Sequence, residues 1–165
     1  MISKKIIEKC QSIKLVITDV DGVLTDGGMY YSDKGEVLKK FNAKDGMAVD
    51  ILRNKKIKTV FLTKENSKIV KLRGKKVKAD GIYTNILLKE KELSRICSKF
   101  NVKPNEIAYI GDDINDIKIM QKIGLSACPN DAVKLVQQSS DHVCKLNGGK
   151  GVFREFAELI LNSKN

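Results

Sequence analysis

The 165-residue sequence predicts an α/β fold, a Rossmann-like three-layer arrangement in which helices cover both faces of a central parallel sheet. Three observations lead there. Short apolar runs alternate with longer amphipathic stretches along the whole chain, the order expected of βα units. No repeat, low-complexity tract or linker interrupts them, so residues 1–165 read as one domain, long enough to bury a single core. Polar residues stand where several apolar runs end, and open parallel sheets gather their ligands at such ends.

A helix is expected over 3–11, with Ser3 as its N-cap. The run "KLVITDV" supplies the first strand. "GGMYYSDKGEVLKKF" then breaks the alternation: two short runs flank the turn-forming "SDKG", so a β-hairpin protrudes over about residues 27–42. Its Met29, Tyr30, Tyr31, Val37 and Phe41 are too apolar to sit free in water. Such a hairpin folds onto its own domain or meets other subunits, and the second is the expectation. Helices follow over 45–54, 66–76, 88–100, 115–122, 131–138 and 152–162, with Asp45, Asn66 and Asp131 as candidate N-caps. The strands between them are "KTVFLT", "DGIYT", "EIAYIGD", "GLSAC" and "DHVCKL".

Composition removes several classes. The formal net charge of +11 raises nucleic acid as a partner. Against it, only four of the 31 basic residues are arginine, the preferred fork for phosphate and base edges. The lysines are spread over nearly every segment, as a compositional bias of the source genome would leave them, and no nucleic-acid partner is expected. A positive field would still steer a small anionic substrate inward. Cys10, Cys97, Cys128 and Cys144 form no CxxC pair, which points to reduced thiols rather than a zinc or redox motif. No apolar stretch reaches the roughly 18–20 residues of a membrane span, and "MISKKIIEKCQSIK" lacks a signal peptide's apolar core, so a cytoplasmic protein without membrane contact is expected.

Chemistry concentrates at the strand ends. Asp19 and Asp21 follow the first strand, Thr63 ends the next, Lys89 opens the helix after "DGIYT", and "YIGDDIND" supplies Asp112, Asp113 and Asp116. Aspartates from two strand ends would converge on one point, where hard carboxylate oxygens suit Mg²⁺. Taken singly each has a bland reading: an acidic turn, a β-residue, one lysine among many, a solvated N-cap. It is not an EF-hand, since Gly22 comes too early and no glutamate closes the loop. Order and separation together make coincidence a poor explanation.

In that order the set resembles the four motifs of the haloacid dehalogenase superfamily of phosphohydrolases. The resemblance implies that Asp19 is the nucleophile forming an aspartyl-phosphate and that Asp21 is the general acid and then base. It places Mg²⁺ on Asp19, the backbone carbonyl of Asp21, and Asp112. Thr63 would hold phosphoryl oxygens, Lys89 would neutralise charge, and Asp113 and Asp116 would support the site. The intervals around Thr63 leave no room for the cap domain most members carry, so the hairpin stands in its place. Capless members with such a hairpin are phosphatases of 3-deoxy-2-ulosonic acid sugars, which "DVDGVLTDGG", "FNAKDG", "YIGDDIND" and "GGKGVFRE" resemble. The likeness implies a homotetramer with packed hairpins and active sites at subunit boundaries. It makes "NGGKG" a mobile lid, though a plain turn before a helix fits those residues equally.

Two branches of that group differ after the threonine. Enzymes of 3-deoxy-D-manno-octulosonate 8-phosphate usually continue T-G-R, and those of nine-carbon sialic-type 9-phosphates T-G-E. This chain reads T-K-E. Glu65, with Arg73 and Lys76 where that branch places cations near the sugar carboxylate across a subunit boundary, favours a nonulosonate 9-phosphate; Lys64 departs from both patterns. A solvated helix face accounts for the three charges as well. Besides the octulosonate ester, the alternatives are a non-catalytic partner domain of a cytidylyltransferase and a basic nucleic-acid-binding module. A receiver-like signalling domain is set aside, because its phosphoacceptor would end the third strand, which here ends in "YTN".

Overall fold

The computed structural model describes residues 2–164. Six strands make one parallel sheet: β1 (Leu15–Thr18), β4 (Lys58–Leu62), β5 (Gly81–Tyr83), β6 (Ile107–Ile110), β7 (Leu125–Cys128) and β8 (His142–Val143), in the order β5-β4-β1-β6-β7-β8. The chain starts at the centre and winds outward both ways, so β1 lies between β4 and β6, with Ile17 opposite Val60 and Tyr109. The strand order reverses at β1, and this switch point is where a crevice opens beyond the strand ends. β2 (Tyr30–Ser32) and β3 (Gly35–Leu38) form the separate antiparallel hairpin.

β1, β6 and β7 are buried at every position, as strands covered on both faces must be. Their side chains alternate between two cores. Leu15, Ile17, Val60 and Tyr109 pack with Leu93, Ile96, Ile119 and Val136 of α4 (Lys89–Phe100), α5 (Ile117–Met120) and α6 (Lys134–Ser139). Val16, Phe61, Ala108 and Ile110 pack with α1 (Lys4–Ser12), α2 (Ala43–Asn54), α3 (Lys68–Lys76) and α7 (Val152–Asn162), whose Phe153 and Phe156 are fully buried. The expected three layers are present.

The helix starts differ from expectation in instructive ways. Ser3 does cap α1, its Oγ accepting from Ile6 N at 3.4 Å. α2 starts earlier, capped by Asn42, whose Oδ1 accepts from Lys44 N at 2.9 Å. Asp45, proposed for that cap, lies within the helix and accepts instead from Arg154 N at the start of α7. Ser67 rather than Asn66 caps α3, and Asp131 accepts from Gly148 N across the fold instead of capping α6. The helix expected over 115–122 shrinks to a 3₁₀ turn (Ile114–Asp116) and the four residues of α5, because Asp116 turns inward as a buried polar anchor. Met29, Tyr30, Tyr31, Val37 and Leu38 of the hairpin are exposed, while Phe41 packs against the core beneath the Arg73 guanidinium. Among the described residues no helix is long and apolar enough to cross a membrane.

Candidate active site

The crevice beyond β1, β4 and β6 is a cleft of about 480 Å³, lined by Asp19, Asp21, Gly22, Thr63, Glu65, Asp112 and their neighbours. That is within the size range of small-molecule sites. β1 delivers Asp19 because the strand stays fully paired to its end: Asp19 N donates to Ile110 O at 2.9 Å, and Val20 N donates to Asp19 Oδ1 at 2.7 Å. β4 delivers Thr63, whose N donates to Tyr83 O and whose Oγ1 accepts from Glu65 N at 3.2 Å, leaving the hydroxyl proton free to point outward.

Lys89 is fully buried, a costly position that only carboxylates can make tolerable. Its Nζ lies 2.8 Å from Asp19 Oδ2 and 2.7 Å from Asp116 Oδ1. Burial alone would lower its pKa, but the two carboxylates outweigh that and raise it, so it stays an ammonium ion. Asp116 holds the arrangement: Oδ1 also accepts from Tyr109 OH at 2.6 Å, and Oδ2 accepts from the N–H groups of Asp112 and Asp113 at 2.9 and 3.2 Å. With both oxygens engaged, Asp116 positions Lys89 and the Asp112 backbone. Asp113 is exposed and caps its own turn by accepting from Ile114 N.

Asp19, Asp112 and Asp116 each bring a carboxylate oxygen to within 4.8 Å of the others. Burial and the neighbouring negative charges raise the pKa of Asp19 and push that of Asp112 up to about 8. One lysine thus faces three clustered acids, and hard oxygen donors short of positive charge suit a divalent cation such as Mg²⁺. Gly22 guards that position. Its φ is +81°, and a Cβ there would lie 1.9 Å from Asp112 Oδ2. Gly22→Ala should therefore push Asp112 aside and weaken Mg²⁺ binding by about 10–100-fold, the range of lost ligand support, as read by calorimetric titration.

Asp21 sits differently. Its Oδ1 pairs with Lys39 Nζ at 2.5 Å while its buried Oδ2 has no partner, which leaves a tethered carboxyl with one free oxygen. Lys39 also pairs with Glu36 Oε1 at 2.6 Å, and Glu36 Oε2 accepts from Ser67 Oγ at 2.6 Å, so the hairpin's return strand is tied to two sides of the cleft. Nothing in the amino-acid pattern singles out Lys39, one lysine among many. Only its separation from Asp21, set by the hairpin's length, could have hinted at it.

Asp19, Asp21, Thr63, Lys89, Asp112 and Asp116 are thus brought together, and Glu65 and Lys64 reach the cleft wall. Arg73 and Lys76 do not join them in this chain. Arg73 donates to Asn42 O and stacks on Phe41, away from the cleft, and Lys76 is exposed near the end of α3. A role for either toward a substrate would require a neighbouring subunit.

Residues 33–156 match the family model described as haloacid dehalogenase-like hydrolase. The chain is 35% identical over 160 residues to the 3-deoxy-D-manno-octulosonate 8-phosphate phosphatase KdsC of Escherichia coli (strain K12), covering 97% of this chain and 85% of the relative. The crystal structure of the 3-deoxy-D-manno-octulosonate 8-phosphate phosphatase from Yersinia pestis superposes with a TM-score of 0.95 at 32% identity, over 98% of this chain and 87% of the other. That from Moraxella catarrhalis, in complex with a magnesium ion, a phosphate ion and a KDO molecule, superposes at 0.93 with 31% identity, over 98% and 92%.

Proposed function

The chain belongs to the haloacid dehalogenase-like hydrolases, and from that premise we propose that it is a Mg²⁺-dependent phosphatase of 3-deoxy-D-manno-octulosonate 8-phosphate. The carrying observation is that relatives named for this activity match nearly the whole chain. The nonulosonate 9-phosphate suggested by Glu65 gains no such support. Glu65 lines the cleft, while Arg73 and Lys76, expected to act across a subunit boundary, lie away from it in this chain. The eight-carbon ester is the better reading.

Asp19 attacks phosphorus through a carboxylate oxygen, and the bond from phosphorus to the sugar oxygen breaks as that oxygen takes a proton from Asp21. The unpartnered Oδ2 of Asp21 is the atom suited to carry the proton. Water then attacks the aspartyl-phosphate, Asp21 accepts its proton, and inorganic phosphate leaves with Asp19 regenerated. Lys89 offsets charge on Asp19 and the phosphoryl group throughout, and Thr63 donates its hydroxyl to a phosphoryl oxygen. Asp19, Asp112 and the backbone carbonyl of Asp21 would hold Mg²⁺, which when bound supplies the positive charge that lets a carboxylate approach a phosphate dianion.

The exposed Met29, Tyr30, Tyr31, Val37 and Leu38 fit a homotetramer in which hairpins pack together and a neighbour closes each cleft. Substrate choice is tested by phosphate release from the eight- and nine-carbon esters side by side, with and without Mg²⁺. kcat/KM should favour the octulosonate ester by about 10-fold or more, since a snug polar site discriminates at least as well as an apolar pocket does one methylene. A reversed ratio would restore the nine-carbon assignment and leave the phosphatase intact. No release from either ester would reject both.

A further inference from the structure

A second group of potential ligands lies away from the cleft, where β8 meets α7. The chain's one histidine, His142, opens β8; Cys144 follows two residues later; Glu155 projects from the first turn of α7. We propose that His142, Cys144 and Glu155 form a binding site for Zn²⁺, with water as the fourth ligand.

One ligand atom from each residue lies within 4.8 Å of the other two. Donors around one zinc ion, at bond lengths near 2.0–2.3 Å, stand roughly 3.5 Å apart, so side-chain rotation closes the set without moving the backbone. Glu155 is already aimed: Oε1 accepts from Lys145 N at 2.8 Å and Oε2 from Leu146 N at 2.9 Å, the kind of outer support that fixes a metal ligand. Each oxygen keeps a lone pair for an ion. Burial lowers the His142 pKa, which keeps the ring in its neutral, ligating form, and burial with the Glu155 charge raises that of Cys144. The thiol proton would leave to solvent on binding, as it does when zinc takes a thiolate.

The site has an entrance. His142 and Glu155 line an open cleft of about 790 Å³ that also contains Asp141, Lys145 and Glu158, so water can reach the ion. Donor chemistry separates this site from the catalytic one: carboxylate oxygens select Mg²⁺, whereas a nitrogen, sulfur and oxygen set selects zinc. A bound ion would also clamp the ends of residues 145–151. Within that segment Gly149 N donates to Val23 O at 2.9 Å, so the clamp would brace the loop that follows Asp19.

The test uses Co²⁺ as a spectroscopic probe, added to the full chain in excess Mg²⁺. A thiolate-to-cobalt charge-transfer band should appear at one equivalent per chain, and Zn²⁺ should bleach it. Oxygen ligands at the catalytic site cannot produce this signal, so the result is independent of phosphatase activity. Cys144→Ser and His142→Ala should each abolish the band, and Cys97→Ser should retain it; His142 is only partly buried, so its variant reports even if Cys144→Ser fails to fold. Absence of the band, or its survival in His142→Ala, would overturn the proposal.

Discussion

Asp19→Asn is expected to remove phosphatase activity while leaving the protein folded. An amide cannot attack phosphorus, and losing a covalent nucleophile costs on the order of 10⁴- to 10⁶-fold in kcat. The structural change is small. The substituted amide still offers an oxygen to Val20 N or Lys89 Nζ, and one negative charge leaves a crowded group that includes Asp112 and Asp116. The melting temperature should stay within about 4 °C of the parent, equivalent to about 1 kcal/mol. Phosphate release and thermal unfolding on the same preparation check both halves. Activity above about a hundredth of the parent value would exclude Asp19 as the nucleophile.

Lys89→Met should damage stability and activity together, and the two can then be separated. The side chain has no exposure and makes two close ion pairs, so its loss leaves Asp19 and Asp116 as buried, uncompensated acids. Breaking such a group costs about 3–5 kcal/mol, which is a fall of roughly 10 °C in a domain of this size. Activity should fall by about 10³-fold or more, because among the described residues no other cation pairs with Asp19. Adding Asp116→Asn removes one of the stranded charges. The double variant should recover much of the lost stability and none of the lost activity, a non-additivity that marks direct coupling. Recovery of activity would mean that Lys89 serves only to neutralise Asp116.

Much of this was legible because strand ends are where sequence pattern and chemistry coincide. The apolar run before Asp19 and the run before Asp112 both read as buried strands, and the parallel pairing of β1 with β6 brings their last residues together. The hairpin was legible from its turn residues and its break in the alternation. What sequence could not show depends on contacts across the fold. Asp45 looks like a cap, yet a backbone N–H more than a hundred residues away claims it. Asp116 reads as one more acid in "GDDIND", and only the buried Lys89 and Tyr109 reveal it as an anchor. Glu65, Arg73 and Lys76 look alike as helix-face charges, and the fold sends the first to the cleft and the second to Phe41. His142, Cys144 and Glu155 lack any familiar ligand spacing, since the glutamate arrives from a different element.

Placing the first strand at the centre of the sheet has a kinetic consequence. Leu15 pairs with Lys58 on one side and Ile107 on the other, so β1 cannot be completed by anything near it in the chain. Contacts of such long sequence separation form late and slowly, since the entropy of closing long loops opposes them until they are made. Asp19 cannot meet Lys89, Asp112 and Asp116 until those later segments have been synthesised. The site around Asp19 is therefore among the last parts of the fold to be completed.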